Sequence, residues 1–127
     1  MSLPLLSFSY PEPDPRALHD ARRIMVHVER TYAAAADYSV YTHTACILLL
    51  RIRNIAKSII SDLEYPEDDG TIHGVWSQCA TLKEMSTDPE IAPLGDAAMR
   101  QLALMRQCAG KVQAHIERIR DRRRGDA

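Results

Sequence analysis

From Arg16 to Tyr65 the chain runs fifty residues without a glycine or a proline; all five glycines and all seven prolines lie elsewhere. Those two residue types are the strongest interrupters of regular backbone, so their absence leaves a long helix-permissive segment. Apolar residues within it recur at helical spacing, which makes the chain an all-α protein. With 127 residues it fits one domain, and a domain of this length buries roughly two-thirds of the surface its unfolded chain exposes. The expected architecture is an antiparallel bundle of about four helices, one of them short, with an extended N-terminal arm. Residues 1–14 form the arm, 15–123 the bundle and 124–127 a short polar tail.

The arm is punctuated by Pro4, Pro11 and Pro13, with Pro15 just beyond, a spacing that favours extended backbone and resists helix. Leu6, Phe8 and Tyr10 alternate there with Ser7 and Ser9, a strand-like period of two. Helix one is predicted to start with Asp14 as N-cap and Pro15 in the first helical position. Its seam reads Leu18, Ala21, Met25, Val28, Tyr32 and Ala35. Residues 37–44 are poor helix formers and place a break near 37–41. An unbroken helix would be about 75 Å long and would demand a dimer. Helix two then covers Tyr41–Glu64 and ends at Pro66 and the acidic turn through Gly70. Its segment Ile47–Leu50 is apolar on every side and is expected to be central in the fold.

Helix three is read at Thr71–Met85, with Ile72, Val75, Trp76, Cys79 and Leu82 on one face and Gly74 weakening it. A loop carrying Asp88-Pro89 and Ala92-Pro93 follows. Helix four begins near 94–96 and runs to about Arg123, repeating Ala98, Leu102, Met105, Ala109, Val112, Ile116 and Ile119. Gly110, beside Ala109, suggests close approach of another helix. The core is predicted to be led by Leu18, Met25, Val28, Leu48, Leu49, Ile52, Ile55, Ile59, Leu102, Met105 and Ile116.

Composition bounds the chemistry. A net charge of −1 supplies no overall field for nucleic acid or a membrane. The longest unbroken apolar run is Ala45–Leu50, far short of the ~20 residues of a transmembrane helix, and the N-terminus lacks the basic region of a signal peptide. A cytoplasmic protein is the expectation. Cys46, Cys79 and Cys108 form no CxxC pair and fall in apolar helical patterns, so they read as reduced core thiols.

No metal or cofactor is expected. None of His19, His27, His43, His73 and His115 makes an HxxxH pair, and no glutamate precedes a histidine by three, the spacing that aims two ligands inward from one bundle helix. His19 and His27 bracket Arg23 and read as a solvated face. The turn Asp68-Asp69-Gly70-Thr71 would repel a phosphate. No local signature supports Cys–His nucleophilic catalysis, and neither His43 nor His115 has the sequence context of a phosphotransfer histidine. The chain is therefore read as not an enzyme.

Protein–protein interaction is the function these readings leave: a small regulatory or inhibitory protein occupying a surface of a larger partner. Leu5, Leu6, Phe8 and Tyr10, with Leu3, place apolar surface in the arm ahead of the bundle, where something must cover it. Tyr38 and Tyr41, near Tyr32 at the helix break, are of the type enriched at interfaces. The arm's own bundle, a second subunit and a foreign protein are the three covers. A homodimer is expected, because helix four at about 42 Å outruns helix three at about 22 Å and part of its seam should lack an intrachain partner. The alternative is a nucleic-acid-associated regulator contacting phosphates through Arg118, Arg120, Arg122, Arg123 and Arg124, although Glu117, Asp121 and Asp126 dilute that cluster and no aromatic is interleaved for stacking. An enzyme with a dispersed site is the third reading.

Overall fold

The computed structural model describes residues 13–35 and 43–125. Asp14 opens the first helix as its spacing predicts. Its Oδ1 accepts from the backbone N–H of Arg16 at 2.9 Å and of Ala17 at 3.3 Å, and Pro15 occupies the first helical position, where an amide would have no partner. Helix α1 (Pro15–Ala35) is followed by α2 (His43–Glu64). The ion pair Arg22–Glu64 at 3.9 Å joins the first half of α1 to the end of α2, and Arg53–Glu29 at 3.2 Å joins the middle of α2 to the second half of α1. The two helices therefore fold back on each other, and the single long rod is excluded. The break expected near 37–41 falls within residues 36–42, outside the described residues, as does the arm, residues 1–12.

Helix α3 (Asp69–Met85) begins two residues earlier than expected. The acidic turn that closes α2 also opens α3: Asp68, in extended backbone, accepts from the Thr71 N–H at 2.8 Å and the Thr71 hydroxyl at 3.1 Å. These bonds hold the Asp68 carboxyl below the usual carboxylate range. The expected loop contains a 3-10 helix, Pro89–Leu94, started by Asp88 accepting from the Glu90 N–H at 2.9 Å. It buries Ile91 and Leu94, which the proline-rich sequence did not suggest. Gly95, at φ 98°, takes a left-handed conformation that a side chain would strain, and from it the chain enters α4 (Asp96–Gly125).

α1 packs on α2 and α4, and α3 packs on α2 and α4, so the four helices close a ring around one core. The 3-10 helix lies against α2, taking space that the short α3 leaves. As a result the α4 seam Ala98, Leu102, Met105, Ala109, Val112 and Ile116 is buried within one chain. Contrary to the expectation that part of it would lack an intrachain partner, the α4 seam is covered by its own chain, apart from Ile119, which is half-buried.

Several expectations are corrected. The inward face of α1 is Ala17, Ala21, Ile24, Val28, Thr31 and Ala35, and the larger Leu18, Met25 and Tyr32 are only partly buried. Small residues at Ala17 and Ala21 suit close approach to α4, the helix α1 contacts most, while Tyr32 leans toward α2, with its ring 5.4 Å from the Arg53 guanidinium. Thr31 is admitted to the core because its hydroxyl donates to the His27 carbonyl at 2.7 Å. His27 is 4% exposed rather than solvated, and its Nδ1–H donates to the Gln101 carboxamide oxygen at 3.0 Å. In α2, Leu48 and Leu49 face the core, but Ile47 and Leu50 are 36% and 51% exposed, so this segment is not enclosed on all sides. Ile55 is half-buried.

Gly110 does not serve close helix packing: a Cβ there would meet nothing within 4 Å, and the same holds at Gly74. Both are helical. Gly74→Ala and Gly110→Ala are each expected to raise unfolding free energy by about 0.5–1 kcal/mol, since alanine loses less backbone entropy on entering a helix. Urea denaturation checks this, and a loss of stability at either site would contradict the open space around it.

Candidate functional site

Three chain segments meet at one end of the bundle: the entry to α1, the first turn of α3 and the last turns of α4. They enclose a cleft of about 1070 Å³. Pro13, Pro15, Ile72 and Ile119 give it apolar lining. Arg16, Arg118 and Arg122 give it cations, and Asp14 and Asp121 stand among them. The Asp14 carboxylate is already engaged in capping α1. Among the described residues no ion pair forms to Arg16, Arg118 or Arg122.

His115 borders the same cleft. Its Nε2–H donates to Asp20 Oδ2 at 2.8 Å, and its Nδ1 accepts from Arg118 Nη2. Both partners of the Asp20–His115 pair are largely buried. An Asp–His pair of this kind orients a catalytic base only when the second ring nitrogen is free to take a proton, and here Arg118 occupies it. Cys108 lies two turns of α4 away, about 10 Å by helical rise, outside hydrogen-bond reach of the ring. The arrangement positions Arg118 at the cleft wall and ties α4 to α1; it does not assemble a nucleophile with a base.

The thiols fit this picture. All three cysteines are free, with Cys79 and Cys108 buried. Burial pushes the Cys79 thiol up to about 12 and raises that of Cys108, against the opposing pull of Lys111 and Arg23. Cys46 is exposed, which corrects its reading as a core thiol.

The arginine cluster divides. Arg118 and Arg122, one turn apart, share the cleft, whereas Arg120 is half-buried on another side of α4. The side chains of Arg123 and Arg124 lie outside the described residues. So do Leu5, Leu6, Phe8, Tyr10, Tyr38 and Tyr41, the residues read as partner-binding. A sequence signal did exist for Arg118 and Arg122, their spacing of four. Arg16 and the Asp20–His115 pair gave none.

Two further surfaces are present. A groove of about 520 Å³ between α1 and α2 has Met25, Val26 and Ile60 in its lining and Arg22, Glu29 and Arg30 around them. On α2, Ile47 and Leu50 project on the side opposite Ala45, Leu48, Leu49 and Ile52. Among the described residues no helix is long and apolar enough to cross a membrane, and no three potential metal ligands are grouped.

No protein-family model, curated protein or solved structure matches this chain.

Proposed function

We propose that this chain is a small, non-enzymatic regulatory or inhibitory protein that acts in the cytoplasm by occupying a surface of a larger protein. The observation that carries the reading is the outward placement of Ile47 and Leu50 on α2. A bundle of this size could satisfy its core with α2 residues facing inward alone, and it does so with Ala45, Leu48, Leu49 and Ile52. Two large aliphatic side chains on the opposite face keep much of their surface in water, and a partner that covers them would bury it. They begin six residues after Tyr41 in the sequence, so the tyrosines read as interface residues border the same stretch of chain. A homodimer that uses this face is part of the proposal, now resting on Ile47 and Leu50 rather than on α4.

The test uses the full chain as bait, beside Ile47→Glu/Leu50→Glu and a form lacking residues 1–12. Recovered proteins are quantified by mass spectrometry, and self-association by light scattering. Helix content and melting should hold in both variants, because Ile47 and Leu50 face away from the inward residues of α2 and the prolines within residues 1–12 resist helix. The double substitution should lose a specific partner, or convert a dimer to a 14.3 kDa monomer. Unchanged recovery and unchanged mass in both variants would refute the proposal. Salt-sensitive retention on a nucleic acid column, with no protein partner, would favour the nucleic-acid alternative instead.

A further inference from the structure

We infer that the cleft at the end of the bundle is a docking site for an extended acidic peptide segment of the partner protein. This rests on the interaction-module reading and gives it a second contact surface with its own chemistry. Three arginines, Arg16, Arg118 and Arg122, line one cleft without an ion-pair partner among the described residues. Three other arginines are engaged: Arg22 and Arg53 pair with Glu64 and Glu29, and Arg106 donates to the Ser86 carbonyl and hydroxyl. A guanidinium is a planar fork of donors that matches a carboxylate two bonds at a time. Arg118 is also held in place, since it donates to His115, which Asp20 fixes in turn.

The spacing selects an extended peptide. Arg118 and Arg122 are one turn apart, about 6 Å along α4. Side chains on one face of an extended strand recur every ~6.6 Å. Carboxylates at alternate positions therefore fall in step with the two arginines, with Arg16 available across the cleft. The apolar lining from Ile72, Ile119 and the two prolines suits an aliphatic side chain between the acids. A volume of about 1070 Å³ is at the top of the range for small-molecule pockets, which suits a few residues of peptide. Nucleic acid is disfavoured, because no Phe, Tyr or Trp lines the cleft to stack on a base.

The probe is a fluorescein-labelled hexapeptide alternating glutamate and leucine, read by anisotropy against the full chain. Controls replace glutamate by glutamine or by lysine, and an oligothymidylate strand serves as the nucleic-acid probe. Arg16→Glu/Arg122→Glu tests the cleft. Both sites are exposed, and an acid in the first turn of α1 favours that helix, so the variant should fold. Arg51→Glu, an exposed arginine on α2, tests for diffuse attraction. Binding of the acidic peptide should weaken with salt and fall about tenfold or more in the double variant, while Arg51→Glu changes it little. Four results would overturn the inference: no binding, equal binding of the glutamine peptide, an equal loss in Arg51→Glu, or tighter binding of oligothymidylate. If the acidic peptide fails while Ile47→Glu/Leu50→Glu still loses a partner, this inference alone falls and the interaction-module reading stands.

Discussion

Replacing Leu49 by alanine is expected to lower the free energy of unfolding by about 2–5 kcal/mol. The side chain is 2% exposed and faces the centre of the four-helix ring, so its removal forfeits transfer energy and leaves a cavity that neighbouring helices only partly close. The adjacent Leu50→Ala is the built-in control. That leucine is half exposed on the opposite side of the helix, and its truncation should stay within about 0.5 kcal/mol. Urea denaturation of both variants gives the comparison directly. Near-equal losses would mean that the inward face of α2 is assigned wrongly.

A second pair tests α1. Ile24→Ala should also cost about 2–5 kcal/mol, because Ile24 is fully buried in the core. Met25→Ala should cost much less, because Met25 is partly buried in the groove lining between α1 and α2. The reverse order would restore the seam through Leu18, Met25 and Tyr32 and rotate α1 by about 50° about its axis.

That rotation shows what could be read in advance. α4 was legible because its inward face is carried by Leu102, Met105, Val112 and Ile116, and a heptad of bulky residues has one obvious face. α1 was legible only in part: Ala21, Val28 and Ala35 of its predicted seam are buried, but Ala17, Ile24 and Thr31 take the inward places expected of Leu18, Met25 and Tyr32. Thr31 and His27 also look solvent-facing until their hydrogen bonds are known: one is local, to the preceding turn, and the other reaches Gln101, 74 positions away. The 3-10 helix was hidden by its own prolines, which ordinarily mark a loop. In the candidate site, the pairing of Arg118 with Arg122 follows from helical spacing. The buried Asp20–His115 bond joins residues 95 positions apart, and no local pattern encodes such a contact.

The distribution of thiols has a practical consequence. Cys79 and Cys108 are sealed in the core, with their ionisation pushed to higher pH, so at neutral pH neither presents a thiolate to a reagent. Cys46 stands exposed immediately before Ile47 and one helical turn from Leu50. A maleimide dye added to the native protein should therefore attach at one position, on the edge of the apolar face of α2. The unmutated chain carries its own reporter there, and quenching or a spectral shift of the dye would register whatever settles on that face as it arrives.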